Sequence, residues 1–214
     1  MALRLNIDTH SPSDRTLVLA AEVIQAGGVI VYPTDTLYGL GANAWNAGAA
    51  ARVAGIKKRP EDKPVLVLVH SAGAALGLTD EVTDAARALI ASLWPGPLTL
   101  VFRCGTHVPP SVTGNSGKIG VRVPASRTCV RLSELSGCPL ISTSANISGE
   151  PAQGSVQEIE RSLGPGVDLF IDGGILPASL PSTIVDVSDP VPRLVREGAI
   201  AYDDLKHIVP TILR

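Results

Sequence analysis

Aromatic side chains are almost missing from this chain, with two Trp, three Tyr and two Phe among 214 residues. The interior must therefore be built from Val, Leu, Ile and Ala, and few rings are present on which successive bases could stack. Net charge is small as well: 18 Lys plus Arg stand against 20 Asp plus Glu, a formal −2. Without a global pull toward nucleic acid or an anionic membrane, any phosphate binding must come from a local cluster. Cysteine is scarce too. Cys104, Cys129 and Cys138 are odd in number and contain no C-x-x-C, which argues against a disulfide framework and structural zinc and suits a reducing, cytoplasmic setting. No apolar run approaches the ~20 residues that span a bilayer, and residues 1–9 lack the basic-then-apolar plan of a secretory signal, so no membrane association is expected. The four histidines, His10, His70, His107 and His207, share no metal-ligand spacing and none adjoins a candidate nucleophile. Neither a metal site nor a Ser-His-Asp triad is expected from them.

What the chain has in excess is punctuation, 21 Gly and 17 Pro. With no internal repeat and no linker, the length fits a single α/β domain. Period-two alternation over residues 3–7 predicts a strand. Residues 11–26 predict a helix with Leu17, Ala20, Ala21 and Ile24 on one face and Gly27 at its C-terminal cap. Residues 29–32, β-branched and aromatic after Gly27-Gly28, predict a buried strand stopped by Pro33. An Ala-rich helix over 46–56 follows, ending near Lys57 because Pro60 disfavours helix at Arg59. Next come a two-sided buried strand at 65–69, a helix at 79–93 capped by Thr79, strands at 98–102 and 119–123, a helix at 127–136 ended by Gly137, and a strand at 139–142. Residues 105–117, rich in Gly, Pro, Ser and Thr, are long enough to form a mobile flap. A capping box, Ser155-Val156-Gln157-Glu158, opens another helix before strands at 167–171, 183–187 and 191–195. Some strands follow one another too closely for helical crossovers, so the sheet should be mixed.

The stretch around which the rest is arranged is Tyr32-Pro33-Thr34-Asp35-Thr36-Leu37-Tyr38-Gly39-Leu40-Gly41, hydroxyl-rich and placed at a strand's end, where ligands bind in open α/β sheets. Taken alone, it fits a polar turn as well as it fits a site. Gly39-Leu40-Gly41-Ala42-Asn43-Ala44 matches G-x-G-x-x-A, with Glu61 and Asp62 downstream, but its first glycine does not directly follow the strand as a dinucleotide fingerprint requires. Gly114-Asn115-Ser116-Gly117-Lys118-Ile119 is no Walker loop, because its glycines are too close together and Ile119 stands where Mg²⁺ needs a hydroxyl. Lys57, Lys58 and Arg59 cluster at a helix C-terminus, where cations complement the dipole unless an anion lies near. Thr143-Ser144-Ala145-Asn146 forms a second hydroxyl-and-amide loop. The polar inventory of Lys57, Arg59, Arg122 and Arg196 with the hydroxyls of Thr34, Ser142, Ser144 and Ser182 is rich in oxyanion binders and poor in acid–base groups. It suits a phosphorylated or carboxylated ligand handled by positioning and charge stabilisation.

Seven motifs occur in an order that resembles the YrdC-type threonylcarbamoyl-AMP synthases: the opening Tyr-Pro-Thr-Asp-Thr stretch, Lys57-x-Arg59-Pro60, Trp94-Pro95-Gly96-Pro97-Leu98-Thr99, Val121-Arg122-Val123-Pro124, Ser144-Ala145-Asn146, Pro181-Ser182-Thr183-Ile184-Val185-Asp186 and Arg196-Glu197-Gly198. The resemblance implies a single-domain, twisted open mixed α/β sheet with flanking helices and a deep concave site, its catalytic domain over 12–202, with the strand at 1–11 and the tail at 203–214 belonging to the same domain. It implies synthesis of threonylcarbamoyl-adenylate from L-threonine, bicarbonate and ATP, with pyrophosphate released, toward N6-threonylcarbamoyladenosine in tRNA. By position, Lys57, Arg59, Ser144 and Asn146 are the implied catalytic residues, and these four with Arg196 and Lys118 would hold ATP. Thr34, Arg122, Ser142 and Ser182 would hold threonine, with Arg122 on its carboxylate. Mg²⁺ accompanies ATP, no tightly bound protein metal is implied, and the partners implied are companion threonylcarbamoyl transferase proteins and tRNA. Many members carry a His where this chain has Leu68, with His70 two residues on and on the same side by strand alternation. The chain resembles the short form of the family, without the extra C-terminal domain of longer members. A carbamoyl-transfer enzyme and an RNA-binding module are the alternatives.

Overall fold

The computed structural model describes residues 2–59, 64–176 and 179–214. Among these, ten strands are present: β1 (Leu3–Asn6), β2 (Ile30–Pro33), β3 (Tyr38–Asn43), β4 (Leu66–Leu68), β5 (Leu98–Arg103), β6 (Lys118–Arg122), β7 (Leu140–Ser144), β8 (Leu169–Asp172), β9 (Thr183–Asp186) and β10 (Arg193–Arg196). They form one sheet in the spatial order β1-β8-β2-β3-β7-β4-β6-β5-β9-β10. The sheet is mixed, as the short connections require: β1 and β2 run parallel to β8, β4 to β6 and β5 to β9, while β3 is antiparallel to both β2 and β7.

Alternation along the strands divides the interior between the two faces of the sheet. Ile30, Tyr32, Leu68, Leu140, Leu169 and Ile171 pack with Leu17, Ala20, Ala21 and Ile24 of α1 (Asp14–Gln25) and with Cys129 and Leu132 of α6 (Arg127–Ser136). Val29, Val31, Val67, Ile141 and Phe170 point the other way, into a larger core with α2 (Ala47–Ile56) and with α4 (Asp84–Leu93). Gly137 ends α6 in the left-handed region, at φ 64°. Two short helices are not evident in the apolar periodicity: α3 (Ala72–Leu76), made of Ala, Gly and Leu, and α8 (Tyr202–Ile208), held by the fully buried Leu205.

One sequence-based expectation fails for an identifiable reason. Thr79 does not cap a helix; α4 starts five residues later, and Thr83 Oγ1 accepts from Ala86 N at 3.1 Å. Both threonines precede acidic residues and look alike locally, but Thr79 forms a β-bridge with Cys104 and its hydroxyl reaches Arg103 O at 2.7 Å. The 105–117 connection, long enough for a flap, contains α5 (Pro110–Thr113), buries Val108 and Val112 in the core and accepts a bond from Val65 N at Val112 O.

The glycines of the central stretch also have a different task. Gly39 and Gly41 lie within β3, opposite Tyr32 and Ile30 of a β2–β3 hairpin whose loop is only residues 34–37. The Tyr32 ring lies across them: a Cβ on Gly41 would meet Tyr32 Cε1 at 2.5 Å, and one on Gly39 would meet Tyr32 Cζ at 3.2 Å. Because Tyr32 is fully buried, its ring has nowhere to retreat. Gly41→Ala should therefore cost about 1–3 kcal/mol of unfolding free energy, read from the urea midpoint at unchanged slope.

Candidate functional site

The α1–α6 layer leaves part of its sheet face uncovered, and a cleft of about 390 Å³ opens there. Cross-strand register fixes its floor. Ser144 pairs with Gly39, Ser142 with Gly41, and Leu68 with both Arg122 and Leu140, which places these side chains on one face. The site thus gathers on one face of the sheet around the ends of β4, β6, β7 and β10 and the β2–β3 loop. Thr34, Arg122, Ser142, Ser144, Asn146, Ser182 and Arg196 line it. Lys57 and Arg59 line an adjoining hollow of about 170 Å³, walled by alanines of α2 and sharing Thr143 with the cleft. Lys118 stands apart, four residues and so about 13 Å down β6 from Arg122, with its ammonium 2.7 Å from Asp186 Oδ2. His70 lies beyond the end of β4 and is exposed, whereas Leu68 lines the cleft, so His70 does not take the place of the missing histidine.

Arg122, only 4% exposed, is held from three directions. Its Nε donates to Gly96 O at 2.9 Å, its Nη1 to Thr36 Oγ1 at 3.3 Å, and its Nη2 lies 2.6 Å from Asp35 Oδ2. Asp35 Oδ2 is in turn fixed by Ala125 N at 3.1 Å, and Gly96 N donates to Val123 O. Asp35, Thr36 and Gly96 were not singled out as functional in the sequence, although all three fall inside its motifs. The Thr34 hydroxyl is occupied within its own loop, accepting from Thr36 N and Leu37 N and donating to Leu37 O at 2.6 Å. Ser182 is reached by Thr99 Oγ1 at 3.0 Å, and its carbonyl accepts from Arg196 Nη2 at 2.8 Å. Gly198 permits this approach, since a Cβ there would stand 2.2 Å from Pro181 O.

In the adjoining hollow, Lys57 ends α2 but does not bond that helix's own last carbonyls through its side chain. Its ammonium donates to Ser144 O at 2.5 Å and Asn146 O at 2.7 Å, with Asn146 Oδ1 at 3.4 Å. Asn146 Nδ2 extends the network to Ile147 O and Glu150 O. Lys58 takes the left-handed conformation at φ 51°, and the Arg59 N to Ala54 O bond closes the helix. Burial, followed by the nearby Arg59 charge, pushes the Lys57 ammonium down to about 8. Burial also lowers Arg59 and Arg196 from their ordinary values. Among the described residues, none of these three cations forms an ion pair with an acid. Desolvated cations without acidic partners favour an anionic ligand that restores the balance. Because Lys57 also ties α2 to the turn after β7, Lys57→Ala should lower unfolding free energy by about 2–3 kcal/mol in urea titrations, a cost that a cation merely complementing a helix dipole would not produce.

Comparison with known proteins agrees with this geometry. A family model named for Sua5, YciO and YrdC and described as telomere recombination matches residues 22–198. The threonylcarbamoyl-AMP synthase of Pyrococcus abyssi is 34% identical over 194 residues, which cover 91% of this chain and 57% of that protein. The threonylcarbamoyl-AMP synthase of Marinobacter nauticus is 35% identical over 181 residues, 84% of this chain and 95% of that protein. The chain therefore spans less than two thirds of the archaeal relative and nearly all of the Marinobacter one. The crystal structure of P. abyssi Sua5 complexed with L-threonine superposes with a TM-score of 0.93 at 31% identity, covering 100% of this chain and 63% of that one. From the ordered motifs, the sheet topology and these matches together, the chain belongs to the Sua5/YciO/YrdC family.

Proposed function

We propose that the chain joins L-threonine, bicarbonate and ATP into L-threonylcarbamoyladenylate and pyrophosphate, as a nucleotidyltransferase supplying the intermediate for N6-threonylcarbamoyladenosine in tRNA. The observation that carries this reading is a division of charge: a fixed guanidinium beside Asp35 in the cleft, Arg122, and cations without an acid among the described residues in the adjoining hollow, Lys57 and Arg59. The first suits a carboxylate and the second a triphosphate. The likeness to threonylcarbamoyl-AMP synthases and to a threonine-bound structure supports it. We assign the catalytic domain to residues 12–202, completed by the flanking 1–11 and 203–214.

In this reading the threonine amine takes up CO₂ as a carbamate, whose oxygen attacks the α-phosphorus in line and breaks its bond to the bridging oxygen of pyrophosphate. Such a displacement needs alignment and charge neutralisation more than a general base. Arg122 orients the carboxylate, Ser142 and Ser182 present hydroxyls to the amino-acid end, and Thr34 shapes the loop beside it. Lys57, Arg59 and Arg196 neutralise the phosphates, with Ser144 and Asn146 at the junction. Lys118, paired with Asp186, is not among the residues that line the cleft, and we give it no role in this reading. Mg²⁺ arrives with ATP as part of that substrate; no group of three or more His, Cys, Asp or Glu able to hold a metal exists among the described residues. Among the described residues no helix is long and apolar enough to cross a membrane, and a cytoplasmic setting, companion transferases and tRNA as final acceptor complete the proposal.

Pyrophosphate release from ATP should require both threonine and bicarbonate. A well-folded protein inert toward ATP that binds tRNA tightly and in a salt-sensitive way would instead favour the RNA-binding alternative. Arg122→Lys should raise the KM for threonine about tenfold or more, with the KM for ATP little changed, because an ammonium cannot reproduce the fork. ATP affinity should weaken as pH rises through about 8, where Lys57 loses its proton in the free protein. Calorimetric titration with ATP in saturating Mg²⁺ between about pH 7 and pH 9 checks this, since the magnesium complex of ATP gains no charge there and a flat profile would remove Lys57 from the phosphate end.

A further inference from the structure

Ser142 is not alone at the amino-acid end of the cleft. Beneath it lies Tyr32, whose ring is fully buried and whose hydroxyl donates to Ser142 Oγ at 2.9 Å. The two residues belong to β2 and β7, which do not touch as strands; β3 runs between them. Direct contact is achieved because β3 carries glycine at both intervening positions. Tyr32 pairs with Gly39 and Ser142 with Gly41, so the phenol passes over bare backbone and emerges beside the serine. A Cβ on Gly39 would intrude on both ends of this contact, 3.2 Å from Tyr32 Cζ and 3.3 Å from Ser142 Oγ.

We propose that Tyr32 is a positioning residue that fixes the Ser142 hydroxyl as a hydrogen-bond donor toward the cleft. A serine hydroxyl has one proton and two lone pairs, and the better donor of a phenol–alcohol pair is the phenol. With one lone pair engaged by Tyr32, the Ser142 proton is free to point outward, and no acceptor for it occurs among the described residues. The ligand atom that takes this proton must then be an acceptor, a carboxylate or carbamate oxygen. Burial raises the Tyr32 phenol well above its ordinary range, so it stays a donor at every working pH. Its seat against the glycine floor leaves one orientation for its oxygen, and this fixes the serine before ligand arrives.

This proposal rests on the synthase reading, and its test is a double-mutant cycle in the pyrophosphate-release assay with Tyr32→Phe, Ser142→Ala and the double variant. Phe keeps the ring in its seat and removes only the donor. Tyr32→Phe should raise the KM for threonine about fivefold while leaving the KM for ATP within about twofold of wild type. In the Ser142→Ala background the same replacement should change the KM for threonine less than about twofold, because the group it acts through is gone. Equal effects on both substrates, or an undiminished effect without the serine, would show that Tyr32 merely packs and would overturn the proposal while the synthase reading stands. Wild-type protein that releases no pyrophosphate overturns the synthase reading and this proposal with it.

Discussion

A guanidinium buried to 4% exposure is the constraint to which this site conforms. Taking a charge of this kind out of water costs several kcal/mol unless every donor finds a partner and the charge finds a counter-charge. Arg122 obtains two acceptors and a counter-charge from segments that are distant in sequence, Gly96 from the turn before β5 and Thr36 and Asp35 from the β2–β3 loop, while its Nη2, close to Asp35, makes no aligned hydrogen bond. Satisfying one side chain therefore pins two connections against β6, and the wall of the cleft is a by-product of that requirement. Asp35 holds the charge near neutral, and the side chain stays rigid rather than repelling its surroundings.

The opposite end follows a different electrostatic policy. Lys57 is buried, Arg59 is partly buried and Arg196 is exposed, and none of the three meets an acid among the described residues. Lys57 recovers part of its desolvation cost from the Ser144 and Asn146 carbonyls, which are dipoles and not charges. Among the described residues, buried Arg122 thus has an acid beside it and buried Lys57 has none. Anionic binding at that end both relieves desolvated cations and stabilises the fold, since anything that binds only the native state adds to its stability.

Local pattern made much of the fold legible. Leu17, Ala20, Ala21 and Ile24 identified the buried stripe of α1; Gly137 marked the end of α6; short connections announced a mixed sheet. What escaped was decided by partners far along the chain. Thr79 and Thr83 carry the same local signal, and only the bridge to Cys104 assigns one to sheet and the other to a cap. Gly39 and Gly41 matched part of a dinucleotide pattern, but their reason is Tyr32 across the hairpin and Ser142 beyond it. Among the candidate site residues, the ordered motifs brought Thr34, Arg122, Ser142, Ser144, Asn146, Ser182 and Arg196 to one cleft and Lys57 and Arg59 to its neighbour. Lys118 fell outside because its strand carries it away, and Asp35 was missed because the charge that needs it lies 87 positions later.

The passage from β8 to β9 carries the chain from the second position of the sheet to the ninth. Strands that are neighbours in sequence are thereby placed near opposite margins, and the final segment delivers Thr183, Ser182 and Arg196 to a site founded by residues in the thirties. A nascent chain emerging from the ribosome can build the hairpin of β2 and β3 early, yet its cleft has one wall missing until β9 and β10 have been made. A chain interrupted before β9 would carry the wall built on the hairpin without the groups that close it.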